Sequence, residues 1–260
     1  TTLSPVAGWK LGEAANFTDN WLVNNSALDN YSTRSFNFDG VDDYIQLGSS
    51  VSFANEFSLS VWVKPNGFST SQTIFGMGTS SKNWLRLSSA SQITFRINAT
   101  SLTFTDVGNN LVDGVWQHLL IYRDSSNNVG IFRNGSAFSS SQNNSNTLTL
   151  LTIGKRGNLE YTGSLDEIAF WTSDQSSNVS SIYNGGEPTT ITGASAHWRM
   201  GENATFSTNW TVPDQVGSND GTSANMDLAD LEGEAPNYTG GGLSANMTIE
   251  DRVGNAPNSN

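Results

Sequence analysis

Apolar and polar residues alternate along many short segments of this chain, and this alternation limits the fold more than any other feature. In Phe57–Lys64 (FSLSVWVK), every second residue is Phe, Leu or Val. Successive side chains of a β-strand point to opposite faces of the sheet, so the period predicts a strand with one buried face. Further segments rich in aromatic and β-branched residues share strand character at 72–77, 84–88, 92–97, 116–123, 130–133, 148–153 and 164–171. These segments predict an all-β protein.

Turn residues separate the predicted strands. Asn134-Gly135 directly follows the strand-like segment Gly130–Arg133, and Asn-Gly is a strong signal for a tight β-hairpin. The one helix candidate is Ser177–Asn184, which ends at Gly185-Gly186. Many short strands joined by Gly, Asn and Ser turns predict an antiparallel sandwich of two sheets.

Charge and composition exclude several classes of partner. The chain of 260 residues has a net charge of −12, so we expect neither nucleic-acid binding nor docking on an anionic membrane. It has no cysteine, which excludes disulfides and thiolate zinc sites, and no apolar run long enough to span a membrane. Calcium and neutral glycans remain compatible partners. The chain begins TTLSPV, without a signal peptide or an initiator Met, and is expected to be a processed or partial product.

Two internal repeats divide the chain. Ala7–Trp21 recurs as Ala196–Trp210, and Ser223–Asn237 recurs as Ser244–Asn258. The second repeat is acidic, rich in Gly and Asn and poor in apolar residues, so it is a weak core former. We therefore predict a sandwich domain over residues 1–192, followed over residues 193–260 by a short strand and an extended arm. The arm is either a disordered linker or a segment that orders against a neighbouring subunit.

Several segments resemble the laminin-G-like, or concanavalin A-like, jelly-roll superfamily in the expected order. They run from about Ser35 to Gly186 and comprise FNFDGVDDYIQL, FSLSVWVKP, DGVWQHLLIYRD, GIFRNGSAF and YTGSLDEIAFWTSDQSSNVSSIYNGG. The resemblance implies two antiparallel sheets packed face to face, one of them concave, with ligand loops along a rim. It also implies that FNFDGVDDYIQL forms the opening β-hairpin. The repeats resemble those of lectin-like proteins of marine phages, which implies a virion-surface or extracellular location within an oligomeric assembly.

Catalysis is not expected. Enzymatic members of this fold carry a Glu-x-Asp-x-(x)-Glu strand, whose two glutamates act as nucleophile and acid. In GSLDEIAFW, Asp166 can stand for the central Asp, but Ser164 occupies the place of the first Glu, and Ala169 and Phe170 the places of the last. The histidines, His118 and His197, lie in strand-like contexts and are interpreted as structural residues. The sequence therefore predicts a protein that is not an enzyme.

Three carboxylates crowd one short connection, at Asp39, Asp42 and Asp43. Calcium prefers carboxylate, carbonyl and amide oxygens, and the resemblance implies calcium sites built between rim loops that are distant in sequence. Asp166 would then be the long-range ligand of one shared Ca²⁺. The alternative is that Asp39-Gly40 makes a turn and the carboxylates accept backbone hydrogen bonds.

A glycan site is predicted on two neighbouring central strands. If Leu85 and Leu87 face the core, Trp84 and Arg86 face outward, where an aromatic ring and planar polar groups suit a sugar. The candidate ligand contacts on the concave sheet are Asn83, Trp84, Arg86 and Arg96. The alternative is that Trp84 packs beneath a loop and Arg86 pairs with an acidic neighbour.

These features predict a non-catalytic, lectin-like surface module. It would bind glycans on a virion, as an adhesion or decoration protein, and contact other virion or surface proteins through the arm. The alternative is a purely structural assembly protein without a glycan ligand.

Overall fold

The computed structural model describes residues 32–106, 108 and 110–236 in full, together with the backbone of residues 16–17, 21–22, 238–239 and 243–244. Strands dominate these residues. None of the helices found there has the length and apolar character needed to cross a membrane.

The chain builds its strands in the following order. The first are β1 (Asn16–Phe17), β2 (Trp21–Leu22), β3 (Ser35–Asp39), β4 (Tyr44–Phe53), β5 (Phe57–Pro65), β6 (Gln72–Met77), β7 (Ser80–Ser89), β8 (Gln92–Ile97) and β9 (Thr100–Thr105). Next come β10 (Gln117–Arg123), β11 (Asn128–Arg133), β12 (Ser136–Ala137), β13 (Gln142–Asn143), β14 (Leu148–Ile153), β15 (Lys155–Arg156), β16 (Leu159–Glu160) and β17 (Thr162–Trp171). A short helix, α1 (Val179–Tyr183), lies between 3₁₀ turns at Ser176–Asn178 and Asn184–Gly186. The last strands are β18 (Ala196–Trp198), β19 (Thr205–Phe206), β20 (Trp210–Val212), β21 (Gly221–Ala224), β22 (Leu231–Glu232), β23 (Glu234–Ala235), β24 (Tyr238–Thr239) and β25 (Leu243–Ser244), with a 3₁₀ turn at Leu228–Asp230.

Two large sheets form a sandwich. Sheet I has the order β12-β11-β10-β5-β17-β3-β22, with β13 also paired to β11 and β18 to β17. Sheet II has the order β19-β20-β21-β4-β14-β6-β7-β8-β9. The central pairs of both sheets are antiparallel. The predicted antiparallel two-sheet jelly-roll sandwich is therefore confirmed.

The opening segment differs from the predicted hairpin. Strand β3 belongs to sheet I and pairs with β17, whereas β4 belongs to sheet II and pairs with β14 and β21. The connection through Gly40 therefore crosses from one sheet to the other. Alternation explains why, because both strands turn an apolar face toward the same core from opposite sides. Phe36 and Phe38 reach that core from β3, and Ile45 and Leu47 from β4.

Aromatic side chains fill the space between the sheets. Phe170 of β17 lies at the centre, with its ring centroid 5.9 Å from that of Phe53 and 5.4 Å from that of Phe75, both on sheet II. Its centroid is 5.2 Å from that of Trp198 on β18. These edge-to-face contacts combine large apolar burial with favourable ring electrostatics. The low apolar content of the chain is thus offset by concentrating aromatic residues in the core.

The outer face of sheet I is covered by α1 and its flanking turns. Tyr183 stacks on Trp62 and on His118, with centroid separations of 6.0 and 6.1 Å. Trp171 packs beside Ile182 in a small second apolar cluster. Tyr183 and Ile182 thus cover Trp62, His118 and Trp171 on this face of the sheet.

The predicted arm is wrong for residues up to 236. Strands β18 and β22 join sheet I, and β20 and β21 join sheet II beside β4. Trp198, Met200, Trp210 and Val212 are buried in the main core. The apolar residues of this region show no strong periodicity. They complete the core because their short strands pair with strands that the two sheets leave open. Residues 245–260, which hold most of the last repeat copy, lie outside the described residues.

The described backbone also shows a correspondence between the repeats. Phe17 pairs with Trp21 in one hairpin, as Phe206 pairs with Trp210 in the other. Trp21 pairs with Ser244, while the Trp210 N–H donates a 2.8 Å hydrogen bond to the Ser223 hydroxyl at the equivalent repeat position. The two repeats therefore build a three-stranded unit twice, once within sheet II and once as a separate small sheet.

Candidate functional site

A group of cationic side chains lies on the outer face of sheet II. Leu85 and Leu87 of β7 are buried in the core, so the alternating residues Trp84 and Arg86 point to the opposite side. Arg96 of β8 lies directly across from Trp84 in the antiparallel register. The predicted outward placement of Trp84, Arg86 and Arg96 on neighbouring strands thus agrees with the sheet register.

A third arginine reaches this group from a distant segment. Strands β15 and β16 form a hairpin that folds back toward β6, bringing Arg156 next to Gly76. A Cβ atom on Gly76 would lie 2.3 Å from the Lys155 carbonyl oxygen, so the hairpin can approach only because residue 76 has no side chain. We call Trp84, Arg86, Arg96 and Arg156 together the arginine face.

Arg86 is held in a fixed position on this face. Its guanidinium carbon lies 4.0 Å from the centroid of the Trp84 ring, and its Nε–H donates to the Thr73 hydroxyl at 3.2 Å. Trp84 itself is only 7% exposed. The indole is therefore covered by Arg86 on one side and is not an open platform for stacking there. Its effect is to orient the guanidinium, through a cation–π contact.

Buried donors on the arginine face have no acceptor. Trp84 Nε1, Arg86 Nη2 and Arg96 Nε are each shielded from solvent and have no hydrogen-bond partner in the described part of the chain. A buried donor without a partner costs about 1–3 kcal/mol, and more when it is charged. Trp116 Nε1 and His118 Nδ1 are in the same condition elsewhere in the described residues, so what distinguishes the arginine face is that three such donors lie together.

Arg86 also has positively charged neighbours and no ion pair in the described residues. Burial, together with the neighbouring charges of Arg156 and Arg96, lowers its pKa to about 10. Elsewhere in the described residues, Lys64 pairs with Glu234, Lys155 with Glu160 and Arg199 with Glu167. Arg86, Arg96 and Arg156 form no ion pair there. The expected alternative, an acidic partner for Arg86, is not found among the described residues.

Asn83 does not belong to this face. It is buried on the other side of β7, where its Oδ1 accepts the Asn98 backbone N–H at 2.8 Å. Asn98 has a φ of 44°, and this bond holds the turn between β8 and β9 in place. The prediction that Asn83 contacts a ligand is wrong, because the same alternation that turns Trp84 outward turns Asn83 inward.

The carboxylates Asp39, Asp42 and Asp43 form a compact turn. Asp39 Oδ1 accepts the Val41 and Asp42 N–H groups at 2.7 and 3.3 Å, and Asp43 Oδ2 accepts the Asp39 N–H at 2.9 Å. Burial, and to a smaller extent the nearby carboxylates, raises the pKa of Asp43 to about 6. One oxygen from each residue lies within 4.8 Å of the others. The cluster thus makes the expected turn bonds and also presents oxygens at a spacing that a hard cation could bridge.

Asp166 is not part of that cluster. Asp39 pairs with Thr162, four residues before Asp166 on β17, so the two positions are about 13 Å apart along the strand. Asp166 instead lies with Glu167 and Glu202. The predicted Ca²⁺ shared between Asp39, Asp42, Asp43 and Asp166 is therefore wrong in its fourth ligand. Strands β3 and β17 do pair, but their register separates the carboxylates.

Asp166 belongs to a buried polar network. The Ser32 hydroxyl donates to Asp166 Oδ2 at 2.6 Å, and the Thr33 N–H donates to Glu202 Oε1 at 2.5 Å. Burial, then repulsion from Glu167 and Glu202, raises the pKa of Asp166 well above its usual value. The network ties β3, β17 and the turn after β18 together.

Glu167 stands at an irregular point of this network. It has a φ of 44° and lies at a register shift between β17 and β5. Its carboxylate binds His197 Nε2 at 2.6 Å and Arg199 Nε at 2.9 Å. Glu167 and Glu202 were not predicted from the sequence. The signal was the repeated Glu202 position, which recurs as Glu13 in the other repeat copy.

His118 is structural, as predicted. It is fully buried, and its Nε2 lies 2.8 Å from the Ser60 hydroxyl. Burial lowers its pKa to about 3. A histidine that stays neutral beneath Tyr183 packs the outer layer of sheet I and is poorly suited to proton transfer at neutral pH.

Comparison with solved structures supports the same architecture. A candidate carbohydrate-binding protein from Bacteroides ovatus matches with a TM-score of 0.61 at 18% identity, over 79% of this chain and 61% of that protein. A heptameric SAP-like pentraxin from Limulus polyphemus matches with a TM-score of 0.53 at 13% identity, over 74% of this chain and 95% of the pentraxin. At these identities the matches show the fold alone. No curated protein sequence matches the chain significantly.

The family comparison covers more than half of the chain. The model of the concanavalin A-like lectin/glucanases superfamily, of the laminin G type, matches residues 39–178. This range runs from the end of β3 to the turn before α1 and includes Trp84, Arg86, Arg96 and Arg156. The chain belongs to the concanavalin A-like lectin/glucanases superfamily.

Proposed function

We propose that this chain is a non-catalytic glycan-binding module and that the arginine face is its ligand site. The observation that carries the proposal is the set of three buried donors without acceptors on Trp84, Arg86 and Arg96. Sugars supply hydroxyl and acidic oxygens that can accept such bonds. The superfamily to which the chain belongs includes lectins, and this agrees with a binding role.

The absence of catalysis is part of the proposal. A retaining glycosidase needs two carboxyl groups about 5 Å apart on either side of the scissile bond. On β17, Ser164 takes the place of the first Glu, and its hydroxyl donates to Glu232 at 2.7 Å. Asp166, Glu167 and Glu202 do bring carboxylate oxygens within 4.8 Å of one another. Asp166, however, is fully buried and bonded to Ser32, and Glu167 is bonded to His197 and Arg199, so a sugar would have to displace these contacts to reach them. A hydrolysis assay on β-glucans, expected to show no turnover, tests this part.

Glycan-array binding tests the site. The paired variants are Arg86→Gln and Arg96→Gln, each of which removes one charge from the arginine face. The matched control is Lys64→Gln, which removes one charge from sheet I at a surface ion pair with Glu234. Glycan binding that is lost in both arginine variants and retained in the control supports the proposal. If the wild-type protein binds no glycan, the purely structural alternative replaces it.

Calcium binding is proposed for Asp39, Asp42 and Asp43 alone. Their carboxylate oxygens are hard ligands, and the loop offers backbone carbonyls that could complete a coordination sphere. Asn225 Nδ2 donates to the Asp42 carbonyl at 3.1 Å, which braces the loop against the segment after β21. A cation here would order the crossing between the sheets.

We further propose a virion-surface or extracellular setting, with other surface proteins bound through the small sheet of β1, β2 and β25. The support is the repeated three-stranded unit: one copy closes the sandwich, and the other is a separate small sheet. A unit that docks on this sandwich could dock equally on a neighbouring one, which would make an oligomeric assembly. Deleting residues 243–260, which removes β25 from that sheet, should then abolish incorporation into the particle while the sandwich stays folded.

A further inference from the structure

We propose that the ligand of the arginine face is an acidic sugar, whose carboxylate or sulfate group is held by Arg86, Arg96 and Arg156. This inference rests on the proposed glycan-binding function and gives it a substrate class. It also replaces the neutral glycan, which the overall charge of the chain favoured, with an acidic one.

The first argument is charge. The chain carries 12 basic and 24 acidic residues, yet three of the basic ones converge on one face. Within the described residues no carboxylate pairs with any of them, and the neighbouring charges that act on Arg86 are the two other arginines. Like charges held close together in a partly buried site repel one another. An anionic group placed among them removes this repulsion, whereas a neutral sugar leaves it in place.

The second argument is geometry. Trp84 and Thr73 fix the plane of the Arg86 guanidinium, and Arg86 Nη2 is left without an acceptor. A guanidinium presents paired N–H groups that match the two oxygens of a carboxylate or sulfate. Arg96, across the strand pair from Trp84, offers an unpaired Nε–H on the same face. A guanidinium that is already fixed in position loses less conformational entropy on binding than a mobile side chain does.

The third argument concerns the ring. The Trp84 indole is 7% exposed and is covered by Arg86, so it cannot serve a neutral sugar as an open stacking surface on that side. Hydroxyls are available instead, because Thr94 and Ser88 lie on this face and share a 2.8 Å hydrogen bond. They could bond sugar hydroxyls, while the arginines hold the acid. A long polyanion such as nucleic acid would meet the net charge of −12 beyond the site and be repelled.

Titration calorimetry with matched oligosaccharides tests the inference. One pair is oligogalacturonate and its neutral methyl ester; the other is a sulfated galactan oligosaccharide and its desulfated form. We expect one acidic member to bind at least about tenfold more tightly than its neutral partner, because a charged hydrogen bond to a guanidinium is lost in the neutral form. Whichever pair shows this difference in affinity identifies the acidic group that the site binds as a carboxylate or a sulfate. The affinity should also fall as salt is raised.

Variants separate the site from a general charge effect. Arg86→Gln and Arg96→Gln should each weaken binding of the acidic member about tenfold or more, and Lys64→Gln should not. Arg96→Lys keeps the positive charge but loses the paired N–H donors of the guanidinium. Its affinity for the acidic member should therefore lie between those of Arg96→Gln and Lys64→Gln. Circular dichroism must show that each variant is folded.

Two outcomes would overturn the inference, and they differ. If the neutral partner binds as tightly as the acidic one, the acid specificity is wrong while the glycan-binding function stands. If neither member of either pair binds and a glycan array is also blank, the proposed function itself fails.

Discussion

The guanidinium of Arg86 lies on the indole of Trp84, 4.0 Å from the ring centroid, and this contact organises the outer face of sheet II. The two residues are separated by one position on β7 and therefore share a face. In the described residues, Trp84 Nε1 and Arg86 Nη2 have no acceptor, and Arg86 has no ion pair. The pair is thus pre-arranged but incomplete, which is the physical basis of the proposed ligand site.

Replacing Trp84 should affect both stability and binding. Trp84→Ala removes a ring that is nearly buried and should reduce the free energy of unfolding by about 3 kcal/mol. It also frees Arg86 and should weaken ligand binding. Trp84→Phe keeps a ring under the guanidinium and should retain most of both. Urea denaturation measures the first effect and calorimetry the second; equal ligand affinity in all three proteins would show that the contact has no positioning role.

Residues 196–236 should be essential for folding. Trp198 packs against Phe170 in the main core, so Trp198→Ala should cost about 3–5 kcal/mol. A chain cut after residue 193 loses this ring together with Met200, Trp210 and Val212, and should not fold. A chain cut after residue 244 should melt close to the full-length protein. A cooperative melt of the shorter fragment would contradict the boundary that the structure indicates.

Arg123 provides a contrast with the arginine face. It is fully buried, and its guanidinium donates to the carbonyls of Asn55, Phe53 and Asn146, so its donors are used within the fold. The ammonium group of a lysine cannot donate to all three of these carbonyls with the same geometry. Arg123→Lys should therefore reduce the free energy of unfolding by about 2–4 kcal/mol. Arg86→Lys loses a single hydrogen bond, to the Thr73 hydroxyl, and should cost much less; equal losses would refute the distinction.

His118 should make stability depend on acid pH. Its pKa is about 3 in the folded protein and 6.5 as an unperturbed side chain, because burial disfavours the charged form. Between these values the unfolded chain binds a proton that the folded protein does not, so stability falls as the pH drops below 6.5. This one group should contribute about 1.4 kcal/mol per pH unit in that window.

The comparison with His118→Gln isolates this effect. Asp166 works in the opposite direction, since its raised pKa favours the folded state at low pH, but it is present in both proteins. Urea denaturation from pH 7 to pH 4 should show a smaller loss in the variant. Parallel curves for the two proteins would mean that His118 is not buried as the structure has it.

Calcium should stabilise the turn at Asp39, Asp42 and Asp43. At a concentration far above the dissociation constant, binding to the folded state alone adds a few kcal/mol to the free energy of unfolding. The gain should disappear in Asp42→Asn, whose exposed side chain can change with little effect on the core. Asp166→Asn should keep the gain, because Asp166 lies in the separate network with Glu202. If calcium leaves the melting temperature unchanged, the proposed calcium site is wrong.

Some of this protein follows from its sequence alone. The period-two alternation defines the strands, and it also decides which side of β7 each residue faces. Trp84, Arg86 and Arg96 could be placed outside the core in this way because a strand turns its side chains at a fixed period over a few residues. The family resemblance from Ser35 to Gly186 rests on the same local patterns, together with their order.

Only the tertiary structure decided how distant segments meet. Arg156 joins the arginine face because a hairpin folds over Gly76, and Asp166 is separated from Asp39 because β3 pairs four residues earlier on β17. Trp198 and Trp210 complete the core although they lie beyond the domain boundary predicted at residue 192. Register and edge pairing depend on how the two sheets pack as a whole, and this long-range packing leaves no periodic signal within any one segment.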